Sequence, residues 1–189
     1  MHPTFAARPV TESYIRCERH TMTKIAIVGP ESSGKSTLCM ALAQHYQVKW
    51  VDEFARNYLE HPGRPYTEAD LLTIAHGQCA LEEHIMQHHD GLLFCDTDMI
   101  TIRIWSEEKY GRCAPELLAL AEHRHYDHWL LCTPDIPWEP DPLRENPHDR
   151  DRLFTVYHAM LTRLDKPFTV VTGSPDERLR AAVSAVMRL

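Results

Sequence analysis

Apolar and polar positions along this 189-residue chain alternate between two kinds of segment. The first kind is short and apolar almost throughout: Lys24–Val28, Val48–Val51, Leu92–Cys95, Trp129–Cys132 and Phe168–Val171. Runs of this length, rich in β-branched residues and without an alternating polar face, predict strands buried on both sides, as in a parallel sheet. The second kind carries apolar residues at spacings of three and four. Helices are predicted over 35–46, 54–60, about 67–89, about 97–109, from Pro115, over 149–164 and from Ser174 to the end. The long one opens on a capping-box pattern, Thr67-Glu68-Ala69-Asp70, and runs on through Leu71, Ile74, Ala75, Cys79, Leu81 and Ile85. His61-Pro62-Gly63 stops the helix before it, and Ser174-Pro175-Asp176-Glu177 caps the last one. Strands alternating with helices predict an α/β fold with a parallel sheet. Residues 134–147 hold five of the thirteen prolines and no apolar periodicity, which predicts a loop. Residues 1–22 also lack periodicity and are expected to form a flexible tail before a single domain spanning 23–189.

Composition narrows the function classes. Twenty basic against twenty-seven acidic side chains give a net charge of −7 with no long basic cluster, which argues against nucleic acid as the partner. No apolar run approaches the ~20 residues needed to span a bilayer, and the N-terminus has no apolar signal-peptide core. The six cysteines are scattered without a C-x-x-C pair, as expected of reduced thiols in a cytoplasmic protein.

The first strand leads into Gly29-Pro30-Glu31-Ser32-Ser33-Gly34-Lys35-Ser36-Thr37, the G-x-x-x-x-G-K-S pattern of a phosphate-binding loop between strand and helix. Gly29 and Gly34 allow the tight turn; the amides of Glu31, Ser32, Ser33 and Gly34 and the following helix N-terminus offer donors to phosphate. Lys35 is expected at the β- and γ-phosphates, Ser36 on Mg²⁺, and Thr37 beside them, so the bound species is expected to be Mg·ATP.

Ligands of open parallel sheets lie outside the carboxyl ends of the strands, which directs attention to three further places. Asp96 directly follows the third strand and is the candidate to hold Mg²⁺, with Asp98 two residues on as a substrate contact or helix cap. Asp52 and Glu53 end the second strand, with Arg56 one turn later; one of these acids is the candidate general base or substrate-hydroxyl ligand. The Pro-rich segment, about 137–152, carries Arg144, Arg150 and Arg152, and reads as a lid bringing cations to a transferring phosphoryl group. Trp138 within it is a candidate ring-stacking platform, whereas Trp105, amid Ile100, Ile102 and Ile104, reads as core. Thirteen histidines, including His84 and His88 on one helix face, invite a metal site, but no H-E-x-x-H or Cys-partnered zinc spacing accompanies them.

These segments together resemble the ribosylnicotinamide kinase domain of the NadR family. The resemblance rests on Gly29–Leu38, on Glu53-Phe54-Ala55-Arg56-Asn57-Tyr58, on Cys95-Asp96-Thr97-Asp98, and on Pro137-Trp138 through Asp141, Leu143 and Arg144 to Asp149-Arg150. It implies a P-loop kinase-type three-layer sandwich, with a five-stranded parallel sheet in the order 2-3-1-4-5. It implies transfer of the ATP γ-phosphate to the 5′-hydroxyl of nicotinamide riboside, giving the mononucleotide for NAD salvage. Carried over by position, Lys35, Ser36 and Thr37 serve phosphate and Mg²⁺, Glu53 and Arg56 face substrate, Asp96 and Asp98 belong to the centre, and Arg144 and Arg150 to the lid. Multifunctional members also carry a helix-turn-helix and an adenylyltransferase domain, for which this sequence shows neither room nor an H-x-G-H motif. Where some members place aromatics in the base pocket, this chain has Asp52 and the Gln78–Leu81 stretch. The expectation is an ATP-dependent small-molecule kinase; a kinase for another nucleoside or vitamin-like alcohol, and a regulatory P-loop ATPase, are the alternatives.

Overall fold

The computed structural model describes residues 22–60, 64–144 and 146–189; the expected tail over 1–21 and the helix stop at 61–63 lie outside them. The central strand, β1 (Thr23–Val28), presents Ile25, Ala26, Ile27 and Val28, all 0 % exposed, to layers on both faces. It pairs in parallel with β3 (Leu92–Asp96) on one side and β4 (His128–Cys132) on the other. The two-residue β2 (Trp50–Val51) and β5 (Phe168–Val171) form the edges, so the sheet runs β2-β3-β1-β4-β5 with every pairing parallel. This is the order that the resemblance implied. β2 is shorter than the apolar run predicts because the Val48 amide is taken by the Ala43 carbonyl.

Helices cover both faces. The helix α1 (Lys35–Tyr46) and the C-terminal helix (Pro175–Val186) pack Leu38, Cys39, Leu42, Ala182 and Ala185 against Ile25, Ile27 and Phe94. The opposite layer holds α2 (Phe54–Leu59), α3 (Glu68–Met86), α4 (Met99–Tyr110), α5 (Pro115–His123) and α6 (Arg150–Arg163); the C-terminal helix is α7. Its core joins Ala26, Val28 and Leu93 to Leu71, Ile74, Ile100, Ile104 and Tyr157. Both predicted capping boxes form, Thr67 with Asp70 and Ser174 with Glu177. Among the described residues no helix is long and apolar enough to cross a membrane.

Candidate active site

The segments that follow β1 and β2 meet at a cavity of about 390 Å³, and the loop after β1 forms its floor. Gly29 sits at φ 141°, where an added Cβ would lie 2.6 Å from the Cys132 carbonyl oxygen, so the neighbouring strand itself demands glycine here. Gly34, at φ 79°, is the N-cap of α1 and turns the chain into that helix. Ser33 Oγ donates to the Pro30 carbonyl at 2.7 Å and Lys35 Nζ to the same oxygen at 2.9 Å. Behind the loop, the buried Arg178 of α7 donates to the carbonyls of Ser33 (2.8 Å), Thr133 (2.9 Å) and Gly173 (2.7 Å), and to Asp135. The sequence offers no signal for Arg178, which lies 145 positions from Ser33 amid an ordinary helix.

Asp96 ends β3 with 4 % of its surface exposed, and its Oδ1 has no hydrogen-bond partner. Burial pushes its carboxyl up, against the pull of Lys35 and of a hydrogen bond with the Ser36 side chain. Asp96 is not among the residues lining the cavity, but an orphaned buried oxygen next to the Ser36 hydroxyl of the phosphate loop is a donor set suited to a hard cation such as Mg²⁺. The next residue, Thr97, is a β-branched residue at φ 85°, a left-handed conformation costing on the order of 1–3 kcal/mol. It separates Asp96 from Asp98, and the two carboxylates go to different places. Asp98, expected at the substrate, is 0 % exposed and caps α4 instead. It accepts from the Thr101 amide and hydroxyl, both at 2.9 Å, and from Trp129 Nε1 at 2.8 Å.

A similar division occurs after β2. Glu53, the N-cap residue of α2, lines the cavity; Asp52 does not. Asp52 accepts from Trp50 Nε1 at 2.7 Å and borders a separate, shallow hollow with Lys49, His84, Ile85, His88 and His89. Successive residues of an extended chain point to opposite sides, which puts one acid in each hollow. Burial raises the Glu53 pKa, opposed by Lys35 and reinforced by the negative charge of Asp96. Arg56, one turn on, also lines the cavity and pairs with Asp141 at 2.9 Å.

The connection between β4 and α6 lies over the phosphate loop. The Glu139 amide donates to Ser32 Oγ at 3.0 Å and the Asn146 amide to Glu31 Oε2 at 2.9 Å. Arg144 reaches Ser32 Oγ at 3.3 Å and faces the cavity. Arg150, expected beside it, is not among the lining residues; its guanidinium donates to the carbonyls of Ser32 (2.9 Å) and Ile136 (3.0 Å). Trp138 is also absent from the lining, with the guanidinium carbons of Arg144 and Arg150 at 5.9 and 5.7 Å from its ring.

The aromatic wall comes from elsewhere. Trp105 of α4 packs half-buried against the core, as expected, and also faces the cavity with Tyr66 and Tyr157, among Leu59, Leu71 and Ile104. Glu108, Lys109 and Arg152 complete this end; Lys109 Nζ lies 3.5 Å from the centre of the Tyr66 ring. The helical period contained a clue: Glu108 and Lys109 lie three and four residues after Trp105, so its face turns polar within one turn.

Comparison with known proteins places this geometry. The family described as "AAA domain" matches residues 24–178. The trifunctional NAD biosynthesis/regulator protein NadR of Salmonella typhimurium strain LT2 and that of Escherichia coli K12 are each 31% identical over 134 residues. The match takes in 68% of this chain but 32% of either relative, so the chain spans about a third of their length. Among solved structures, NadR in complex with NR superposes with a TM-score of 0.71 at 22% identity, over 90% of this chain and 52% of that one. NadR with NAD and AMP-PNP gives 0.72 at 21% identity, over 88% and 49%. Thymidylate kinase from Ehrlichia chaffeensis gives 0.59 at 14% identity, over 87% of this chain and 98% of that one. These structural likenesses are likenesses of fold.

Proposed function

This chain belongs to the AAA-domain family of P-loop proteins, and on that premise we propose that it is an ATP-dependent kinase phosphorylating the 5′-hydroxyl of nicotinamide riboside, in NAD biosynthesis. The observation that carries the reading is the continuity of one cavity from Lys35 and Ser36, past Glu53, to Tyr66 and Trp105. An acceptor that carries a ring would find in that aromatic compartment a place to stack beyond the phosphate site. The curated relatives are named for NAD biosynthesis, and a relative of the same fold was solved with NR. Residues 23–189 form the kinase domain in this reading, and about 137–152 its lid.

Each side chain has a physical role. Lys35 exchanges the Pro30 carbonyl for the β- and γ-phosphates, while the loop amides and the α1 N-terminus hold the remaining oxygens. Ser36 and Asp96 would hold Mg²⁺, which would supply positive charge to the phosphates. Glu53 takes the proton of the acceptor hydroxyl, a task for which its raised pKa makes it a better base than an ordinary glutamate. Arg144 adds positive charge at the transferring group, and Arg150 keeps the lid on the loop through Ser32 and Ile136. Trp105 and Tyr66 stack on the acceptor's ring, and the cationic pyridinium of nicotinamide riboside suits such faces. The free thiols of Cys39, Cys79, Cys95, Cys113 and Cys132 suit a reducing compartment, and we place the protein in the cytoplasm.

ADP release from Mg·ATP, measured with nicotinamide riboside, uridine, cytidine or thiamine in turn, tests the reading. Strong stimulation by nicotinamide riboside is expected. Stimulation by another alcohol alone would replace the substrate, and slow release indifferent to every acceptor would make the protein a regulatory ATPase.

A further inference from the structure

Arg178 of α7 holds the phosphate loop from behind and has no role in the mechanism above. It is 3 % exposed, and each of its three guanidinium nitrogens is engaged. Nη1 donates to the Ser33 carbonyl, Nη2 to the Thr133 carbonyl and to Asp135, and Nε to the Gly173 carbonyl. Its own helix is fixed at that end. Ser174 and Glu177 form the capping box, and the Arg178 amide donates to the Ser174 carbonyl at 2.9 Å. A planar fork with donors in set directions, seated on a capped helix, holds the Ser33 carbonyl in one place.

The residue after Ser33 makes that restraint consequential. The Ser33–Gly34 peptide is trans, so its C=O and N–H point in opposite directions. Ser33 is absent from the cavity lining, whereas Gly34 is part of it. With the carbonyl drawn back to Arg178, the Gly34 N–H is turned away from Arg178, to the cavity side. Gly34 lies at φ 79°, a conformation that favours glycine. Glycine adopts negative φ as readily, so the peptide ahead of it can rotate by half a turn at little steric cost. Rotated, it would present a carbonyl oxygen to the phosphates in place of a donor. The preceding peptide is held by the same device: Arg150 of α6 donates to the carbonyl of Ser32, itself at φ 50°.

We propose that Arg178 is a positioning residue for nucleotide binding: by holding the Ser33 carbonyl it keeps the Gly34 N–H turned to the phosphates. It supplies from α7 the rigidity that the glycine of the loop lacks. The inference rests on the phosphate site of the kinase reading and deepens it, adding to Lys35 and Ser36 a residue that never touches the nucleotide. The ligand class it serves is polyphosphate, whatever the base or the acceptor.

The test uses the whole chain. Ser33–Gly34 is the one Ser-Gly pair in the sequence, so serine labelled with ¹³C at its carbonyl, together with ¹⁵N glycine, reports this peptide alone by nuclear magnetic resonance. In the wild type, titration with inorganic tripolyphosphate should move the Gly34 amide proton downfield, as a charge-assisted hydrogen bond forms. Arg178→Met keeps the buried stem; the Ser33 carbonyl signal should shift in the free protein, and the Gly34 response should be lost. Its affinity for ATP should fall about tenfold or more, with the acceptor KM at saturating ATP within about twofold of wild type. Arg178→Lys keeps a charge and a donor for Asp135, so it retains the fold even where Arg178→Met does not, and its thermal unfolding midpoint reports this. It lacks the fork, so its ATP affinity should still fall about fivefold or more. Wild-type ATP affinity in folded Arg178→Lys overturns the inference, because charge alone would then suffice. So does a wild-type Gly34 amide that ignores tripolyphosphate, or equal losses for ATP and acceptor, which would mark a general loosening. The spectra need no acceptor. ADP release that ignores every nucleoside sinks the kinase reading and leaves this inference standing; an unaltered Gly34 response in Arg178→Met sinks this inference alone.

Discussion

The two ends of the cavity are built on opposite plans. The phosphate end is one contiguous stretch, Gly29–Ser36, whose donors are backbone amides and whose shape is set by glycines at φ 141° and 79°. The acceptor end is assembled from side chains of α2, α4, α6 and the segments between, with Leu59, Tyr66, Trp105 and Tyr157 far apart in sequence. A backbone cradle tolerates no change at its glycines and recognises only what all nucleotides share. A side-chain wall can change one residue at a time, and in the proposed reading that is where selectivity would reside.

Substitutions can break this contrast, and the phosphate end should break hardest. Lys35→Ala removes the cation that meets the phosphates, and turnover with any acceptor should fall by about 10³-fold with an unchanged far-ultraviolet dichroism spectrum. Glu53→Gln, at the junction of the two ends, should cost about 10²- to 10³-fold in kcat while both substrates still bind. The pH profile sharpens this. Glu53 serves as base only when deprotonated, and burial raises its pKa, so the acid limb of kcat/KM should lie above the range of an ordinary glutamate. In Glu53→Gln that limb should disappear.

At the acceptor end the effects should be smaller and confined to one substrate. Trp105→Ala should raise the acceptor KM about tenfold, from lost stacking and buried area, and leave the ATP KM alone. A matching rise in the ATP KM would show that the two ends are not separate. Least affected should be Arg56→Met, which removes the partly exposed pair with Asp141 and should change kcat/KM no more than about fivefold.

The same contrast explains what could be read before the structure. The strands and helices were legible because a parallel sheet needs short apolar runs and its covering helices need a 3.6-residue period, and β1, α1 and β5 fall where those patterns put them. The phosphate loop was legible because its chemistry demands particular residues at fixed spacing. The acceptor wall was not, because no local pattern records which helix face a cavity will open against. Trp138 lies beside two arginines and does not line the cavity, while Trp105 packs against the core as expected and α4 also turns it toward the cavity. Asp52 and Glu53 are separable by the two-residue period of extended chain, once it is known which face carries the site. Arg150 and Asp98 do not line the cavity: the one donates to the Ser32 carbonyl of the loop, and the other caps α4.

The central claim is that the two ends act on one phosphoryl group passed directly between them. It is tested most directly with ATP labelled with ¹⁸O in its non-bridging γ-oxygens, incubated with the enzyme and nicotinamide riboside, and followed by mass spectrometry. Direct transfer predicts that every labelled oxygen arrives in the mononucleotide. Label recovered in free phosphate, with the riboside unchanged, would contradict it.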